Sequence, residues 1–159
     1  MELLRKMFEN LGLENVKTYI QSGNVVFQSD LNNVSELESL IKNEIRKTFG
    51  FDVQTQVLKP EVFKSALENN PFLKDENLDI KQHYFAFLNE NPSQENWEIL
   101  KNMELNGELM ELGNKVIFIH YPNGAGKSKL TTNLIESKLK ISATARNLNT
   151  TKKLLEMAS

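Results

Sequence analysis

Residues Lys115–Leu130 read KVIFIHYPNGAGKSKL: an apolar strand, a glycine-rich turn and the start of a helix. Val116, Ile117, Phe118 and Ile119 are consecutive apolar residues, so both faces of their strand have to be covered. Gly124 and Gly126 allow the chain to turn without a Cβ clash. A helix opening near Lys127 or Ser128 would present unpaired N–H groups and its positive dipole end to a phosphate. Lys127 and Lys129 add positive charge. A complete nucleotide-binding signature needs a first glycine five residues ahead of Gly126, and Tyr121 stands there. The stretch is an anion-loop candidate that lacks this glycine.

Working outward, Glu108–Leu112 should pair with Lys115–Tyr121 around Gly113-Asn114, and a helix is expected over Lys129–Leu139. His83–Leu88 reads as a strand. Pro92 and Ser93 open a helix through Trp97 and Leu100, Ile141–Arg146 reads as a last strand, and Leu148–Met157 as a last helix. Strand, helix, strand, strand, helix, strand is the ferredoxin-like order. In the first half, Leu3, Leu4, Met7, Phe8 and Leu11 give a helix ending at Gly12. Val16–Gln21 and Asn24–Gln28 give two strands joined at Ser22-Gly23, residues Val34 to Phe49 give a second helix closed by Gly50, and Phe51–Leu58 gives a strand. The expected fold class is therefore α+β, with two ferredoxin-like βαββαβ units, the first lacking its opening strand. The expected domains are 1–58, a linking helix and charged loop over 59–81, and 82–159.

The opening strand of such a unit lies inside the sheet, so its absence leaves backbone groups unpaired on two neighbours. Either the natural reading frame begins upstream of Met1, or another segment or chain supplies a strand. Direct pairing of Asn24–Gln28 with Phe51–Leu58 would contradict that expectation.

The chain has 159 residues, 40% hydrophobic and 25% charged, within the range of ordinary globular proteins. It contains no cysteine, which excludes disulfides, thiol nucleophiles and thiolate metal sites and fits a cytoplasmic setting. Its longest apolar run, VIFIHY, is too short to span a bilayer, and MELLRKMFEN is amphipathic rather than a signal sequence, so no membrane role is expected. From Tyr121 onward there are seven basic and two acidic residues, whereas the remainder is net acidic. Such a basic end can attract an anionic partner or form a solvated helix face.

Three segments together resemble the domain-of-unknown-function family 1697: TYIQSGNVVF at 18–27, PNGAGKSKLT at 122–131 and TARNLNT at 144–150. The resemblance implies two ferredoxin-like units along the whole chain. The family's N-terminal strand and R-G-I-N-V-G-G-like loop have no counterpart here. The family carries no established reaction, so no catalytic role transfers to these residues.

From the side chains, Gly124, Gly126, Lys127, Ser128 and Lys129 are the candidate ligand-binding residues, with Arg146 at the end of the last strand. The structural alternative is a helix entry in which Asn123 or Ser128 caps the helix and Asn147 or Asn149 caps the next one. No cofactor, metal site or catalytic residue is expected. His83 and His120, the only histidines, lie far apart in sequence without metal-ligand spacing. Gln21-Ser22-Gly23 lacks the first glycine of a nucleophile elbow. Tyr84, Phe85, Phe87, Phe118 and Tyr121 could stack bases only if a sheet face were open, so nucleic acid is the weakest partner class. The expected function is non-catalytic binding of a phosphate-bearing or other anionic small molecule at Gly124–Lys129. The alternative is a structural or interaction module, including a homo-oligomer, built on the open sheet position.

Overall fold

The first helix, α1 (Glu2–Asn10), buries Met7 and Phe8. The second, α2 (Val34–Phe49), buries Leu37, Ile41 and Ile45 at four-residue spacing, which sets them on one face. Asn33 starts α2 by accepting the Glu36 N–H at 3.1 Å. Gly50 ends it at φ 80°, donating its N–H to the Arg46 carbonyl. Between the helices, β1 (Glu14–Tyr19) pairs antiparallel with β2 (Asn24–Gln28). Val16, Val25 and Phe27 join the apolar core from these strands, and Phe27 meets Phe8 edge-on at 5.5 Å. These features come from a computed structural model that describes residues 2–19 and 23–158. The expected turn at Ser22 lies outside the described residues.

The strand expected over Phe51–Leu58 does not form. Among the described residues the segment stands in no ladder and the first sheet holds β1 and β2, although Gln54 and Gln56 do have partners. Val53 and Val57 nevertheless pack on the same core as Val25 and Phe27. Side-chain alternation thus follows a strand pattern, but the backbone bonds that define a strand need a neighbour at about 4.8 Å. Among the described residues no ladder joins β2 to 51–58. One amide of the segment finds a side chain instead: the Val57 backbone hydrogen-bonds to the Glu38 carboxylate. Burial pushes the Glu38 carboxyl up, and this bond offsets part of the shift. Beside it, Ser35, Glu38, Ser39, Lys42, Gln54 and Thr55 line a polar hollow of about 280 Å³.

The second sheet has four strands: β3 (His83–Leu88), β4 (Leu109–Leu112), β5 (Val116–His120) and β6 (Ala143–Asn147). Their spatial order is β4-β5-β3-β6, with every neighbouring pair antiparallel. α4 (Gln94–Lys101) follows β3, and α5 (Thr132–Leu139) joins β5 to β6. Ala86, Leu88, Ile117, Ile119 and Tyr121 form one core with Trp97 and Leu100 of α4 and Ile135 and Leu139 of α5. Phe85, Phe87, Val116 and Phe118 fill the other face, where Phe63 of α3 (Pro60–Asn69) lies 4.8 Å from Phe87. All of Val116–His120 is buried, as a strand apolar on both sides requires.

The chain divides into two units, residues 1–62 with 153–159, and residues 63–152. The segment between the sheets carries α3 and two 3₁₀ turns, Pro71–Lys74 and Ile80–Gln82. α6 (Leu148–Ala158) closes the chain. Among the described residues no helix is long and apolar enough to cross a membrane.

Candidate functional site

Strand register brings one set of residues to a single end of the second sheet. His83 opposes His120, Tyr84 opposes Asn147, and Leu109 opposes His120. The loop after β5, the end of β6 and the residues leading into β4 therefore share that end. The glycine loop, Arg146 and Glu108 are thus neighbours in topology despite their separation in sequence.

The loop differs from the expected helix entry. Gly124 takes φ 86° and ψ 147°, a conformation essentially restricted to glycine, and a short 3₁₀ turn follows over Ala125–Lys127. The helix opens only at Thr132, with Thr131 as its cap, the threonine Oγ1 accepting the Leu134 N–H at 3.2 Å. Ser128 and Asn123 are not caps of α5. The Ser128 hydroxyl donates to Glu108 Oε1 at 2.8 Å and accepts the Leu130 N–H at 3.0 Å. Asn123 donates to the Asn106 carbonyl, and the Tyr121 hydroxyl to the Leu130 carbonyl. The sequence placed the helix too early because Lys127–Leu130 has acceptable helix formers. The hydroxyls of Ser128 and Thr131 instead find partners that favour a turn and a cap.

Glu108 was not singled out in the sequence, where it is one of many surface-type carboxylates. Burial pushes its carboxyl up, but the Ser128 hydroxyl and the backbone N–H groups of Glu108 and Asn106 together outweigh that and hold it below the usual range. A carboxylate therefore stands against the Ser128 side of the loop. Lys127 and Lys129 are exposed, Gly126 is exposed, and Gly124 and Ser128 are half-buried. Tyr121 is pushed up to about 12 by burial, then by Tyr84 and Glu108 nearby.

Arg146 sits on β6 opposite Phe85, on the sheet face away from α4 and α5. Its Nη1 donates to Thr144 Oγ1 at 3.0 Å and the Ala145 carbonyl at 2.7 Å, and burial lowers the guanidinium from its usual value. Asn147 caps α6, as expected, by accepting the Thr150 N–H at 2.8 Å.

The same face holds the two histidines, which the sequence left far apart. Their rings lie 5.1 Å apart across β3 and β5. No group of three or more histidine, aspartate or glutamate side chains able to hold a metal occurs among the described residues. The aromatic residues Phe85, Phe87, Phe118 and Tyr121 are all buried and offer no stacking surface.

No curated protein matches the chain. A solved structure described as a conserved bacterial protein from Streptococcus pneumoniae is similar, with 27% identity and a TM-score of 0.74. The similarity covers 100% of this chain and 88% of that one. The sequence features and this likeness agree with the match of a family model to residues 1–118, a stretch that stops short of the glycine loop; the chain belongs to the family described as protein of unknown function, DUF1697.

Proposed function

We propose that the chain is a non-catalytic interaction module whose first unit pairs with an extended strand, supplied by a second copy of the chain, along β2 at residues 25–28. The observation that carries this reading is that among the described residues β2 stands in a sheet of two strands, and the segment after α2 aims Val53 and Val57 into the same core in strand fashion. An unpaired strand edge is a template for further pairing, and main-chain bonds supply the affinity. The order β4-β5-β3-β6 supports reading the second unit as ferredoxin-like and the first as the same fold without its opening strand. The lack of cysteine supports a cytoplasmic setting. Sedimentation across a concentration series, with hydrogen exchange on each species, tests the proposal. Dimers with slowed exchange over residues 24–28 are expected. A chain that stays monomeric at every concentration, or dimers in which 24–28 exchange as freely as in the monomer, would overturn it.

A second reading is binding of a phosphate-bearing ligand at Gly124–Lys129. Exposed Lys127 and Lys129 and the backbone turn after Gly124, which has no side-chain cap, support it. The Glu108 carboxylate bonded to Ser128 works against it, since an incoming anion would meet like charge. Thermal unfolding with phosphate, nucleotides, phosphosugars and short RNA or DNA, repeated in Lys127→Ala, separates the two readings. A ligand at one hundred times its dissociation constant stabilises by about 2.7 kcal/mol. A shift lost in the variant supports the anion site, and no shift from any of these ligands removes it.

A further inference from the structure

We infer that His83, packed against His120, forms an acid-sensitive latch in the second sheet, which is closed when the His83 ring is neutral and loosened when that ring takes up a proton. The two residues are directly opposed on β3 and β5, with ring centroids 5.1 Å apart and planes at 56°. They are 2% and 3% exposed, so a charge on His83 is only poorly solvated. His83 Nδ1 and both His120 nitrogens are buried without a hydrogen-bond partner. Native structures pair most such atoms, so three orphans on one pair of rings mark a place where polarity serves something other than static stability. Among the described residues no ion pair joins a carboxylate to either ring, so a proton on His83 gains no such partner, and His120 beside it disfavours the charge.

The charged groups on the surrounding elements do not cancel this effect. Arg146 of β6 is paired with Phe85 and therefore lies diagonal to His83 on the same face. Glu111 of β4 is paired with Phe118 and lies diagonal to His120, but it is exposed. Glu108, ahead of β4, is engaged by Ser128. Asp79, before the 80–82 turn, draws a proton toward His83. Lys81 of that turn, Lys74 of the 71–74 turn, and Lys64 and Glu68 of α3 are exposed to solvent. Burial first, and then His120, lower the His83 pKa, and Asp79 offsets only part of this. The unfolded chain therefore binds more protons than the folded one below the usual histidine value of about 6.5. Stability is intact above that pH and falls as the solution is acidified through it.

The chain has two histidines and one tryptophan, so each signal in the test has a single origin. Trp97 is buried in the core of the second unit and reports its unfolding. Urea unfolding of the full chain between pH 7.5 and 5.5 would be followed by Trp97 fluorescence in the native protein and in a His83→Phe, His120→Phe double variant. From pH 6.5 to 5.5 the unfolding constant of the native protein should rise about fivefold more than that of the variant if the His83 ring stays neutral in the folded sheet. Imidazole NMR of the native chain gives an answer that does not depend on the variant folding. The folded His83 imidazole should titrate below about 6.5. Parallel stability profiles, or a His83 imidazole that titrates at or above about 6.5 with the fold retained, would overturn the latch.

Discussion

Both sheets of this chain pair two consecutive antiparallel strands ahead of a helix, β1 and β2 before α2 and β4 and β5 before α5, and they end in different states. In the second unit β3 is bonded on both sides, by β5 and β6, and its residues 85–88 are no more than 1% exposed. In the first unit, among the described residues, β2 stands in a sheet of two strands, and the segment 51–58, which has comparable alternation, joins no ladder. The difference shows that apolar alternation places side chains in a core without making a strand. A strand also requires a neighbouring backbone to accept and donate its hydrogen bonds.

The largest test of this contrast is side-chain truncation in the two cores. Phe85→Ala, at a residue with no exposed surface, should destabilise the second unit by about 3–5 kcal/mol in urea unfolding followed by Trp97 fluorescence. Val53→Ala, at a half-buried residue of the segment 51–58, should cost about 1 kcal/mol by circular dichroism. Equal losses would remove the distinction between the two cores.

Backbone strain sharpens the contrast within the second unit. A Cβ at Gly124 would meet no atom within 4 Å, so the cost of Gly124→Ala is conformational, about 1–3 kcal/mol. Gly126 has neither a positive φ nor a close neighbour, and Gly126→Ala should fall within about 0.5 kcal/mol of the native protein in the same unfolding assay. Between these two glycine effects fall the helix caps, one in each unit. Asn33→Ala and Thr131→Ala each remove a side-chain acceptor and should lower stability by about 1 kcal/mol, measured as a loss of helical signal on heating.

The smallest effect concerns Glu108. Its pKa is lowered in the folded chain, so its contribution is fully present above the unfolded carboxyl value of about 4.3 and is lost as pH falls through the folded one. Ser128→Ala removes the hydroxyl that favours the ionised form. The acid-unfolding midpoint of that variant should move to higher pH, and an unchanged midpoint would show that the Ser128–Glu108 bond does not couple to folding.

The second sheet was legible because Val116–Ile119 and Phe85–Leu88 carry long apolar runs and because Gly113-Asn114 marks the intervening turn. Its helices were legible from periodicity, with Ser93 and Asn147 capping where expected. Three features were not. The segment 51–58 has the side chains of a strand, and local pattern does not record whether a partner is present. The start of α5 was misplaced because a hydroxyl's choice between a cap and a tertiary partner such as Glu108 depends on residues far away in sequence. The His83–His120 pair arises from strand register, which brings together residues 37 positions apart and leaves no trace in spacing. Of the candidate site, the unusual backbone at Gly124 was visible in the glycine itself, whereas the carboxylate beside Ser128 was not.

Amide hydrogen exchange of the chain, at a concentration where it is monomeric, is the most direct test of the central contrast. Residues 83–88 and 116–120 should exchange slowly, close to the rate set by global unfolding, and Phe51, Asp52, Val53, Thr55 and Leu58, which stand in no ladder among the described residues, should exchange faster. Protection of 51–58 equal to that of β3 in the monomer would show that the segment is a bonded strand and would contradict the account.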